Sequence, residues 1–115
     1  MTAHILYPEL DLGKPATMSR KILTGILRHD LGFRGLIITD DLEMGAITKN
    51  YALEEAALEA VLAGADILLV CHSSKHQEQV LSRLIAAVQN GELTVERIGE
   101  SVARIIRLKQ KYSMN

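Results

Sequence analysis

At 115 residues, with 48% hydrophobic and 23% charged side chains, the chain reads as one globular unit with enough length for a hydrophobic core. A formal net charge of −1 gives no global attraction toward nucleic acid or an acidic membrane, and neither is expected as a partner. The single cysteine, Cys71, excludes an intramolecular disulfide and a zinc site built on several thiolates. With no signal-like start and no apolar run of membrane-spanning length, a cytoplasmic location is expected of the chain as it reads.

In chain order, "TAHILY" (residues 2–7) is a short β-prone start stopped by Pro8, and a loop with Gly13 and Pro15 follows it. "SRKILTGILRHDLG" places Ile22, Leu23, Ile26 and Leu27 at helical spacing, with Ser19 as the expected N-cap and Gly32 as the stop. "GLIITD" is an apolar strand without clean alternation, as in strands buried on both faces. Asn50 is expected to cap the next helix, with Glu54 and Glu55 in its first turn and Leu53, Ala56, Ala57, Ala60 and Val61 facing inward. Gly64 ends that helix, and "DILLVC" (residues 66–71) is the next strand. Ser74 and Gln77 form an expected capping box for a helix whose inner face is Val80, Leu81, Leu84, Ile85 and Val88. "NGE" (residues 90–92) breaks that helix, and Thr94 caps a last one with Val95, Ile98, Val102, Ile105 and Ile106 inward. Its basic residues, Arg104, Arg107, Lys109 and Lys111, read as a solvated helix end favoured by the helix dipole.

The expected order is therefore β-α-β-α-β-α-α, an α/β parallel-sheet pattern. Three strands make a narrow parallel sheet with two open edges, so the sheet has to pair with another copy or belong to something larger. The pattern is not that of a response-regulator receiver. Asp66 begins its strand instead of ending it, and Lys14-Pro15 precedes the acidic pair.

In parallel α/β folds the chemistry gathers at the C-terminal ends of strands, where Asp40 with Asp41, and Cys71 with His72, are found; His4 lies early in the first segment. A carboxylate there can be a nucleophile or a general base. Two carboxylates with a histidine can also hold a divalent metal, or the acids can simply end a strand and serve the next turn. Cys71 reads as an inert buried thiol, and His29 and His76 as solvated.

The segments "MTAHILYPELD", "PATMSRKILTGILRHDLGFRGLIITDDLEMGAI", "EEAALEAVLAGADILLVC" and "SVARIIRLKQKY" occur in that order. Together they resemble family 3 glycoside hydrolases, in the bacterial β-N-acetylhexosaminidase branch. The resemblance implies a partial (β/α)8 barrel, its strands six to eight plus a C-terminal helix, with residues 1–115 forming the C-terminal part of the catalytic barrel domain. It implies a carbohydrate substrate, no cofactor and no metal. Asp40 is implied as the nucleophile of a retaining hydrolysis of terminal β-linked N-acetylglucosamine, with Met44 and His4 near the sugar. In that branch the general acid/base is an Asp-His pair in a "KHFPGHGD"-like segment, which this sequence does not contain. Met1 falls where the branch often has an internal Met, so a split, truncated or internally started product is expected. The implied partner is a separate N-terminal barrel half; a self-associating, non-catalytic module is the alternative.

Overall fold

The apolar run ahead of the aspartates forms a strand that starts later than expected and takes in both acids: β1 is Ile38–Asp41. It pairs in parallel with β2, Ile67–Leu69. The computed structural model describes residues 1–113. A 3₁₀ turn (Ala16–Met18) and a helix (Lys21–Asp30) precede β1; α1 (Gly45–Thr48) and α2 (Leu53–Ala63) cross over to β2; α3 (Ser74–Asn90) and α4 (Val95–Lys111) complete the chain. Parallel neighbours require such a helical crossover, and the α/β class is as expected.

Among the described residues the sheet has two strands, not the three that the sequence pattern implies. The segment at residues 2–7 divides its hydrogen bonds between two neighbours and completes a ladder with neither. The Thr2 N–H donates to the Ile38 carbonyl (2.8 Å) beside β1, whereas the Ile5 carbonyl accepts from the Ala16 N–H (2.8 Å). Only an isolated bridge, Leu6 with Pro15, results.

Ser19 does cap the first helix: its Oγ accepts from the Ile22 N–H (3.1 Å) and donates to Asp11 (2.6 Å). That helix adopts the wide π pitch, and the Leu31 N–H closes it on the Ile26 carbonyl five residues back (2.9 Å). Asn50 does not cap α2. The short α1 occupies the turn, α2 starts after Ala52, and Glu54 and Glu55 alone complement its N-terminal dipole. The cap of α3 is Ser73, one residue earlier than expected, because Ser73 is extended while Ser74 is already helical; its Oγ accepts from the His76 N–H (3.3 Å). Thr94 caps α4 through the Arg97 N–H (3.1 Å), as its sequence position implies.

The core is organised around α2, whose small side chains let neighbours approach closely. Ala56, Ala57 and Ala60 are fully buried, and α2 residues take part in each of the four apolar clusters. Gly64 ends α2 at φ +129, and a Cβ there would lie 2.8 Å from Thr24 Oγ1. Gly64→Ala is expected to destabilise the fold by more than about 1 kcal/mol, measured by urea denaturation, because both the backbone angle and the contact oppose it.

The last helix docks in an unexpected way. Its apolar residues Val95 (69%), Val102 (46%) and Ile106 (48%) stay exposed, and its buried residue is Ser101. Asp66, whose side chain is fully buried, holds it instead. The Asp66 carboxylate accepts from Ser101 Oγ (2.6 Å), Arg104 (2.9 Å), Arg28 and the Ile37 N–H (3.0 Å). Arg104 is thus an ion-pair partner, not a solvated helix end. Arg97 reaches the Val61 and Ala65 carbonyls (3.0 and 2.8 Å), and Arg28 reaches that of Gly64 (3.4 Å), so cations satisfy the C-terminal end of α2.

Candidate active site

Burial alternates along β1. Thr39 and Asp41 are buried on the helix-covered face, whereas Ile38 and Asp40 lie on the other face and are only partly buried. The adjacent carboxylates therefore point to opposite sides, as the two-residue period of a strand dictates. The pairing register runs Ile38 to Ile67 but Asp41 to Leu69, so β1 carries one extra residue between those positions. Thr39 Oγ1 compensates by accepting the Leu69 N–H (3.1 Å). Bulges of this kind re-aim side chains at strand ends, and this one falls at Thr39 and Asp40.

Asp40 Oδ1 accepts the N–H of Asp41 (2.7 Å), which pins one carboxylate oxygen. Asp41 is held more fully. Its Oδ1 accepts from the N–H groups of Glu43 (3.1 Å) and Cys71 (3.2 Å), and its Oδ2 lies 3.0 Å from His72 Nε2. Burial alone would raise its pKa, but the two amides and His72 outweigh that and hold the carboxyl below the usual carboxylate range. It is ionised at neutral pH, and its geometry is that of a loop anchor. Glu43 extends the same tie: its Oε1 accepts from the Ser73 N–H (3.2 Å) and lies 3.4 Å from His76 Nδ1. His76 is exposed, as expected, and pairs with Glu43 from the solvent side.

The other sequence-derived candidates are placed as follows. His4 reaches the carbonyl of Asp41 with Nε2 (2.9 Å) and Thr17 Oγ1 with Nδ1 (2.8 Å). Met44 is 43% exposed, immediately after the turn that follows β1. Cys71 is exposed where a buried thiol was expected; desolvation and the carboxylates of Asp41, Glu43 and Asp40 push its thiol up, which makes it a poor nucleophile at neutral pH. No group of three or more His, Cys, Asp or Glu side chains converges as a metal site among the described residues. Thr17, fully buried, is the site residue that pattern reading missed, and no local signal marked it. His72, singled out from its place at a strand end, does face the Asp41 carboxylate.

The chemistry open to this strand end is that of a single carboxylate, one oxygen fixed by an amide and the other without a hydrogen-bond partner among the described residues. Comparison with known proteins gives it a context. The family model described as "Glycosyl hydrolase family 3 N terminal domain" matches residues 1–108. Beta-hexosaminidase A of Pseudoalteromonas piscicida is 38% identical over 96% of this chain and 21% of its own length. A beta-hexosaminidase of Nitrosomonas eutropha is 34% identical over 96% of this chain and 32% of its own. Among solved structures, a glycoside hydrolase family 3 beta-N-acetylglucosaminidase from Paenibacillus sp. str. FPU-7 superposes with a TM-score of 0.96 at 46% identity, covering 98% of this chain and 22% of that one. The chain thus spans between a fifth and a third of the length of these relatives. No described helix is long and apolar enough to cross a membrane.

Proposed function

The chain belongs to the glycosyl hydrolase family 3 N-terminal domain family, and from that premise we propose that it supplies the nucleophile of a retaining β-N-acetylhexosaminidase site. The reaction is hydrolysis of terminal β-linked N-acetylglucosamine. Asp40 attacks the anomeric carbon with its unengaged oxygen, Oδ2, forms a glycosyl ester, and water then releases the sugar. The observation that carries this reading is the geometry of Asp40. It lies at a bulged strand end, on the face away from the helices, with Oδ1 fixed by the Asp41 amide. Pinning one oxygen leaves the other oriented, which reduces the entropy lost on reaching an attack geometry. Met44, exposed beyond the same turn, is assigned to the wall of the sugar pocket.

In this reading residues 1–115 are the last three βα units of a (β/α)8 barrel, with residues 2–7, β1 and β2 as strands six, seven and eight. The Thr2 bond to Ile38 is the support for the first of these assignments. The chain contains no "KHFPGHGD"-like segment and hence no assigned proton donor. Loss of general acid catalysis costs roughly 10²–10⁴-fold, and lost sugar positioning adds to that. The 115-residue polypeptide alone is expected to give no measurable release of nitrophenol from a nitrophenyl N-acetylglucosaminide. A complementing N-terminal barrel half is expected to restore it; efficient turnover by the chain alone would contradict the proposal.

A second reading has one observation in its favour. A groove of about 520 Å³ runs along β2 between α3 and α4, lined by Leu81, Leu84, Val102 and Ile105, and the neighbouring Ile85 and Ile106 are also exposed. Such a surface suits a non-catalytic, self-associating module. Light scattering that shows a defined dimer, together with no turnover in any mixture, would favour it.

A further inference from the structure

We infer that His4 is a positioning residue: it holds the main chain of Asp41, and through it the carboxylate of Asp40, and does not bind the sugar. This rests on the reading of Asp40 as the nucleophile, but the hydrogen bonding it invokes is testable without turnover.

His4 Nε2 lies 2.9 Å from the Asp41 carbonyl oxygen. A carbonyl only accepts, so Nε2 carries the hydrogen. Nδ1 lies 2.8 Å from Thr17 Oγ1, which is fully buried and sits 2.9 Å from Thr2 Oγ1 and 3.1 Å from the Ala3 carbonyl. In the neutral ring the Thr17 hydroxyl donates to Nδ1. If the ring takes a second proton, Nδ1–H donates to Thr17, whose hydroxyl then serves the Ala3 carbonyl. Nε2–H remains on Asp41 in both states. Both ring nitrogens are committed to protein, which leaves the imidazole no free polar atom for a sugar hydroxyl.

The residue so held adjoins the reacting atoms. The N–H of Asp41 donates to Asp40 Oδ1, and the carbonyl of the same residue is what His4 grips. The Asp41 side chain is tied on the opposite, helix-covered face by the Glu43 and Cys71 amides. His4 therefore closes the remaining side of a clamp, linking the N-terminal segment and buried Thr17 to the end of β1. Without it, Asp41 can rotate its peptides and take Asp40 Oδ1 with it. A displacement of about 1 Å at a reacting group costs on the order of 10² in rate.

The test begins with ring ¹⁵N shifts of His4 in the unmodified 115-residue chain, where a hydrogen on Nε2 is expected. A ring protonated on Nδ1 alone overturns the proposal whatever any variant does. In the same chain a through-hydrogen-bond NMR coupling is expected between the Asp41 amide nitrogen and the Asp40 carboxylate carbon. That coupling should survive His4→Gln, whose side-chain amide nitrogen can replace Nε2–H, and be lost in His4→Ala. The Ile37 amide, bonded to Asp66, reports that the fold is intact. Unchanged coupling in folded His4→Ala overturns the proposal. In a chimera carrying this chain within the Paenibacillus enzyme, His4→Ala is expected to lower kcat about 10²-fold with KM unchanged. A rise in KM alone would mean sugar contact and overturn it. Failure of the nucleophile reading looks different: Asp40→Ala would retain turnover while His4 still carried its Nε2 hydrogen. The hydrogen bond would then stand and its catalytic meaning would fall.

Discussion

Asp40→Ala is expected to lower kcat/KM by at least about 10⁴-fold in a chimera that carries this chain in place of the matching segment of the Paenibacillus beta-N-acetylglucosaminidase. The estimate follows from what removing one member of a set of catalytic groups that act together costs. That structure is the suitable host because the two backbones superpose with a TM-score of 0.96 over 98% of this chain. Asp40→Asn should be nearly as damaging, since it keeps the shape but cannot form the glycosyl ester as a carboxylate does. Asp41→Asn is expected to cost far less, about 10-fold, because Asp41 acts only through the loop it anchors; an order of magnitude is what a small misplacement short of 1 Å would produce. The contrast between the two neighbours is the informative part. They differ in the face of β1 that they occupy and in how fully their oxygens are engaged. Equal losses at both positions, or a larger loss at Asp41, would mean that the wrong carboxylate has been assigned.

Asp66→Ala is expected to destabilise the 115-residue chain by about 3–5 kcal/mol, because it leaves two partly buried guanidinium groups without their fully buried carboxylate. That is a large part of the ordinary stability of a small domain, about 5–15 kcal/mol, so the variant should unfold in mild denaturant or fail to accumulate. Asp66→Asn should be milder, since it can still accept from Ser101 and the Ile37 amide. The same group sets the acid limit. Burial works to raise the pKa of Asp66, but the bonds from Ser101, Ile37 and Arg104 and the charge of Arg28 outweigh it, so the folded-state value lies below the unfolded one. The resulting stabilisation is fully present above the unfolded aspartate value of about 3.9 and is lost as pH falls through the lower folded value. Urea midpoints measured downward from pH 5 should therefore fall below about pH 4 in the parent chain and fall less in Asp66→Asn. Parallel slopes would show that Asp66 is not the titrating group.

The two apolar strands could be read from the sequence because "LIITD" and "DILLV" are short β-branched and leucine-rich runs bounded by glycines and acids, and burial rewards them wherever they pair. The helix stops at Gly32, Gly64 and Gly91 were equally legible, since each has positive φ. Other features depend on tertiary partners. The register shift beside Asp40 comes with Thr39 Oγ1 taking the Leu69 N–H in place of a backbone carbonyl, and no local pattern encodes it. Of the apolar stripe expected to face the core in α4, Ile98 does pack against it, but the Asp66 latch sets the docking and leaves Val95, Val102 and Ile106 exposed. Asp66 itself looked like a strand-start residue; its role needs Arg28 and Arg104, each 38 residues away in sequence. The strand expected at residues 2–7 failed for the same kind of reason, since two neighbours compete for its backbone groups. Asp40 stood out because an acid that ends an apolar run is costly to place there without a use or a partner.

The central claim is that Asp40 forms the covalent bond to the sugar. A β-glycosyl fluoride of N-acetylglucosamine has a leaving group that needs no proton donor. Removing the acid/base carboxylate from the host part of the chimera slows release of the glycosyl-enzyme, because the same group activates the attacking water. Under those conditions peptide mass spectrometry is expected to find one N-acetylhexosamine unit ester-linked to Asp40. A label on Asp41, or an unlabelled Asp40 in a chimera whose parent form turns over substrate, would contradict the account.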